Sequence, residues 1–164
     1  MNNGFCIPAS IEVVTKYFDR GFDVDQDYIW RSFAKACVEG HERPNEISLS
    51  SVKKFLLDLD TKFSSWLSSQ FNDGEPNFEE FVRHVNNGVD HGVPVIISVP
   101  AGKYLGQSLW HMLTVLGFDH EKFLVHDPNP AVEAKAFEVP IQKVKSDLFA
   151  ADSKTTHSLI LRPK

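Results

Sequence analysis

The run Val93-Pro94-Val95-Ile96-Ile97-Ser98-Val99 constrains the fold more than any other part of this chain. It is the longest apolar stretch in its half of the sequence and is far too short to cross a bilayer. It therefore reads as a β-strand buried on both faces. Segments with helical spacing precede it and strand-like segments follow it. That order, helices first and an antiparallel sheet second, is an α+β layout.

The helices are read from apolar spacing. Over Cys6 to Phe18, Ile11, Val14 and Phe18 recur on one face, and Pro8 suits a first turn, which puts a helix start at Cys6. Gln26 to Val38 and Ser50 to Leu59 read as further helices, joined by the polar loop Gly40 to Asn45. Thr61 to Leu67 is a weak strand and Asn72 to Pro76 a turn. Asn77, three residues before Glu80, has the look of a capping box ahead of Phe78, Phe81, Val82 and Val85, and Asn86-Asn87-Gly88 marks the expected end of that helix.

After the central strand, Ala101 to Leu109 reads as a loop. His111 to Leu116 and Lys122 to His126 form a hairpin with Gly117 to Glu121 at its tip. A short helix over Pro140 to Phe149 and a last strand over Ser158 to Leu161 complete the sequence. At 164 residues, the whole of 1–164 is expected to form a single domain.

Charge and cysteine content narrow the chemistry. The formal charge is −5 with both signs interspersed, which provides no basic patch for nucleic acid or an anionic membrane. No targeting or membrane-spanning segment is visible, so a cytoplasmic location is expected. Two cysteines make no disulfide framework, and no metal-ligand spacing occurs, so neither cofactor nor metal is expected. Cys37, within Ser32-Phe33-Ala34-Lys35-Ala36-Cys37-Val38, reads as a small buried hydrophobe.

Cys6 is different, because a thiol at a helix start meets unpaired N–H groups and the positive end of the helix dipole, which favour thiolate. A thiolate nucleophile also needs an imidazole. Of the seven histidines, His41 lies in a polar loop, His84 in an amphipathic helix, His91 beside a turn and His120 at a hairpin tip. His157 has no acidic partner in an obvious position. His111 opens a hairpin whose second strand closes with Asp127, and with an odd-numbered hairpin loop the two side chains share a face while His126 points away. Taken singly, His111 reads as a strand residue packed by Trp110, and Asp127 as a turn former in Asp127-Pro128-Asn129-Pro130. Together with Cys6 they have the order and residue types of a nucleophile, a general base and a carboxylate that orients it.

These residues also carry a family resemblance. Cys6-Ile7-Pro8-Ala9-Ser10, Gly92-Val93-Pro94-Val95-Ile96, Trp110-His111-Met112-Leu113-Thr114-Val115-Leu116-Gly117-Phe118 and Phe123-Leu124-Val125-His126-Asp127-Pro128 resemble the signature blocks of the bacteriocin-processing, double-glycine peptidases within the papain-like superfamily. The resemblance implies a papain-like fold, thiol catalysis by Cys6, His111 and Asp127, and a peptide or other amide substrate. Two departures stand out. Ile7 replaces the usual glycine after the nucleophile. Papain-like enzymes also place a glutamine about six residues before the cysteine as oxyanion donor, whereas five residues precede Cys6 here. Asn3 is the first candidate for that donor and Asn2 the second, with Gln107 or a backbone N–H as alternatives. The expected activity is hydrolysis of a peptide or other amide bond through a thioester. The alternatives are a transferase or deamidase on the same scaffold and a degenerate module that binds peptide without cutting it.

Overall fold

The computed structural model describes residues 6–18, 26–39, 63–72, 75–100, 110–129, 136–149 and 155–163. In chain order these form α1 (Cys6–Phe18), α2 (Gln26–Glu39), β1 (Phe63–Asn72), α3 (Glu75–Asp90), β2 (Val95–Pro100), β3 (Trp110–Phe118), β4 (Lys122–His126), β5 (Ala136–Pro140), α4 (Ile141–Phe149) and β6 (Thr155–Pro163). The expected helix over residues 50–59 and the loops over residues 40–45 and 101–109 lie outside the described residues.

The strands make one six-stranded antiparallel sheet in the order β1-β6-β2-β3-β4-β5. The apolar run Val93 to Val99 supplies β2, an interior strand whose alternate residues feed opposite layers, as period-two geometry requires. Val95, Ile97 and Val99 join Leu113, Val115, Phe123 and Val125 beneath α3 and α4, whose Phe78, Phe81, Val85 and Val144 complete that core. Ile96 and Leu159 face the other way, under Ile7, Ile11 and Val14 of α1 and Ile29, Phe33 and Cys37 of α2. Each large apolar side chain buried in these layers contributes about 1.5–3 kcal/mol. The α+β reading holds, with one addition: β1, from the N-terminal half, lies at one edge of the sheet.

Several local expectations are corrected. α3 starts at Glu75, so Asn77 lies inside the helix and does not cap it, and Pro76 occupies the first turn, where its missing N–H costs nothing. Asn86-Asn87-Gly88 does not end that helix either. Gly88 is buried, and a Cβ there would stand 2.5 Å from Val95 Cγ2 and 3.2 Å from Ile160 Cδ1, so glycine is present for close approach to the sheet. The helix ends at Gly92 instead, with φ of 70°. The Gly92 N–H donates to the Val89 carbonyl at 2.9 Å and the Val93 N–H to the Gly88 carbonyl at 3.0 Å, a Schellman arrangement that satisfies the last turn. β5 is an additional strand at the other edge, with only Val139 fully buried, so it offers little alternation to read.

These two glycines yield a ranking. Gly92→Ala meets no atom but is strained at positive φ, a cost of roughly 1–2 kcal/mol. Gly88→Val overpacks the contact between α3 and β2 and is expected to cost more, at the upper end of the roughly 1–3 kcal/mol typical of overpacking. Denaturant midpoints of the two variants check this order, and an equal or reversed order would contradict the close-approach role of Gly88.

Candidate active site

Cys6 is the first residue of α1 and is half-buried, while Cys37 is buried in α2 within the apolar layer. α1 packs on β3, and at that contact the Cys6 side chain hydrogen-bonds to His111. His111 Nε2 donates to Asp127 Oδ1 at 2.8 Å, which leaves Nδ1 as the nitrogen that faces the thiol. Both partners are withdrawn from solvent, His111 at 7 % and Asp127 at 2 % exposure, so the bond is poorly screened.

The reason His111 and Asp127 share a face is a β-bulge. Near the hairpin tip Phe118 pairs with Phe123 and Gly117 with Leu124, so residues of opposite parity stand across from each other. Leu116 is then passed over, and Val115 pairs with Val125 and Thr114 with His126. From there on, residues of like parity face one another. One step further along this register Asp127 falls opposite Leu113, and His111 lies on the diagonal on the same face, within reach of a long side chain. The shared face expected from the sequence is therefore present. Its cause is the extra residue in β3, not the length of the tip loop. His126 points to the opposite face, as expected.

Asp127 is held by its own turn. The Asn129 N–H donates to Asp127 Oδ1 at 2.7 Å, so the carboxylate that receives the imidazole also closes an Asx-type turn. The turn-forming and histidine-binding readings of Asp127 are both true of the same oxygen. Asn129 is the contributor that the sequence reading passed over, although Asp-Pro-Asn carries that turn signal. Of the other histidines, His91 Nδ1 hydrogen-bonds with the Asn87 carbonyl at 2.7 Å at the end of α3, and His120 is exposed at the hairpin tip. Asn2, Asn3 and Gln107 lie outside the described residues.

The electrostatics favour a charged imidazole. Burial is the largest influence on His111 and pulls its pKa down, but the hydrogen bonds to Asp127 and Cys6 and the charges of both raise it from 6.5 to about 9. Among the described residues no cluster of histidine, cysteine and acidic side chains is suited to a metal ion.

A Peptidase_C39 like family model matches residues 1–155. The chain belongs to that family. It is a papain-like cysteine peptidase, and the family acts on peptide or protein substrates. No curated protein sequence matches it. Among solved structures it is similar to the peptidase domain of Streptococcus ComA, described as a bi-functional ABC transporter involved in quorum sensing, with a TM-score of 0.57, 14% identity and coverage of 100% of this chain and 95% of that one. It is also similar to a C39-like peptidase from Bacillus anthracis, with a TM-score of 0.53, 13% identity and coverage of 99% and 92%. At such identities the likeness speaks for the fold. No helix among the described residues is long and apolar enough to cross a membrane.

The raised pKa has a signed consequence for stability. A histidine with ordinary pKa 6.5 unfolded and about 9 folded contributes stability that is fully present below about pH 6.5 and is lost as pH rises through about 9. Asp127→Asn removes the negative charge that opposes burial and leaves only a neutral, weaker acceptor, so the NMR titration midpoint of His111 is expected to fall from near 9, and the alkaline decline of the melting temperature to shrink. A midpoint unchanged by that substitution would contradict the assigned cause, and His126→Ala serves as the control that leaves it in place.

Proposed function

We propose that this chain cleaves a peptide bond with Cys6 as nucleophile, His111 as general base and acid, and Asp127 as the carboxylate that orients the imidazole. The observation that carries the reading is the continuous chain of hydrogen bonds from Cys6 through His111 to Asp127. In this mechanism the Cys6 sulfur attacks the carbonyl carbon. The His111 imidazolium gives its proton to the leaving amine as the C–N bond breaks, which leaves a thioester. Water then attacks the thioester with His111 taking its proton, and the released sulfur regains its place beside the ring. The carboxylate moves no proton; it fixes the ring and stabilises its positive charge.

The tetrahedral intermediate needs donors. The first turn of α1 carries backbone N–H groups at Cys6 and Ile7 that the helix itself does not bond, and they are the nearest backbone candidates to the attacking sulfur. Pro8 supplies none. Asn3, Asn2 and Gln107 remain the side-chain candidates, and Asn3→Ala and Asn2→Ala assays decide whether either amide contributes.

Turnover of a peptide ester by the purified chain tests the reading. Cys6→Ala and His111→Ala are expected to abolish it, Asp127→Asn to leave a residual rate on the order of 10⁻⁴ of wild type, and His126→Ala to leave it near wild type. Iodoacetamide is expected to label Cys6 well before the buried Cys37, and His111→Ala to slow that labelling. Activity should fall on the alkaline side near pH 9, where His111 loses its proton. Prompt labelling of Cys6 without any turnover would favour the peptide-binding module, and a His126→Ala variant as inactive as His111→Ala would contradict the strand register.

A further inference from the structure

Behind the nucleophile the layer between α1 and the sheet contains two buried hydroxyls, Ser10 and Thr114, with the His126 imidazole across the strand from Thr114. Ser10 lies one helical turn after Cys6, on the stripe of Ile7, Ile11 and Val14 that packs in the layer, and is 0% exposed. Thr114 lies three residues after His111 on β3 and is also 0% exposed. Its register partner is Ile96, a member of the same layer, so the Thr114 side chain faces the helices α1 and α2. Neither Ser10 Oγ nor Thr114 Oγ1 has a hydrogen-bond partner among the described residues. The contrast within α1 is informative: the equally buried Thr15 bonds its Oγ1 back to the Glu12 carbonyl at 2.8 Å, and Ser10 makes no such bond.

A buried hydroxyl without a partner is costly, so two in one largely apolar layer call for something that joins them. No hydrogen bond joins them directly. Buried polar groups in one layer that do not bond each other directly are the ordinary place for an ordered water, which takes two to four such bonds. We propose that Ser10 and Thr114 hold a buried water that ties α1 to β3, and that through this tie they are positioning residues for the pair formed by Cys6 and His111. The inference rests on the catalytic reading above only for its effect on rate; the water site itself does not depend on it. α1 carries the sulfur and β3 the imidazole, and the apolar contacts between them are non-directional, whereas a bridged pair of hydroxyls fixes the helix along and across the strand.

A double-mutant cycle on the whole chain tests the proposal, with Ser10→Ala, Thr114→Val and the double variant compared in melting temperature, kcat, KM and the alkaline limb of the pH profile. Each single change strands the other hydroxyl, so each is expected to lower the melting temperature by roughly 5 °C. The double variant removes both hydroxyls and should melt above either single variant, because an apolar pair of the same shape leaves nothing unsatisfied. Losses that simply add, or no loss in either single, would overturn the water site. For the positioning role, kcat is expected to fall about 10–100-fold at unchanged KM in all three variants, including the restabilised double. The alkaline limb should move below that of wild type as the hydrogen bond between the His111 ring N–H and the Cys6 sulfur loosens, and Thr114→Ser should restore both. A double variant with wild-type kcat and an unmoved limb would overturn the positioning role. Should the wild type itself lack turnover, the catalytic reading fails while the melting cycle still decides the water site.

Discussion

A single surplus residue in β3 determines what this site can be. With Leu116 accommodated as a bulge, the ladder between β3 and β4 changes parity, and His111 and Asp127 come to the same face of the sheet. Without it, the parity seen at the tip would persist and turn Asp127 away from His111. Everything chemical follows from that alignment: the 2.8 Å bond at Nε2, the Nδ1 left to Cys6 and the raised pKa of the ring. Bulges cost ladder hydrogen bonds, and this one is retained at the place where a side chain must be re-aimed.

Much of this was legible in the residues. The start of α1 at Cys6 and its end at Phe18, and the limits of β4 at Lys122 and His126, agree with apolar spacing alone, because those elements bury one regular stripe or alternate cleanly. The three residues proposed for the site stand out in the sequence for a different reason: each has an ordinary structural role, and only their order and shared geometry single them out. What was not legible depended on tertiary contact. Gly88 reads as a helix terminator until Val95 and Ile160 are seen pressed against it, and Asn77 reads as a cap until the helix is seen to begin at Glu75. β5 escaped because an edge strand with one fully buried side chain has almost no pattern to show. The bulge escaped because Leu116 is as good a strand residue as its neighbours, and nothing local says which residue the ladder will skip.

The residues of the site also come from different layers. Cys6 packs against the layer of α1 and α2, whereas Val99 and Leu113, the neighbours of His111 in the sheet, belong to the layer of α3 and α4. The hydrogen bond between Cys6 and His111 is thus a bond between two cores that could each be well packed without it. Its geometry is set by how the α1 layer is seated on the sheet, which neither core fixes by itself.

A site split in this way acts as a gauge of how its scaffold is seated. Anything that tilts α1 against β3, whether a ligand wedged at their margin, a binding protein that clamps them or a substitution deep in either layer, changes the distance between sulfur and ring without meeting the scissile bond. In the proposed site, the spacing of sulfur and ring is thus set by residues that never touch substrate, across one helix-to-sheet seam.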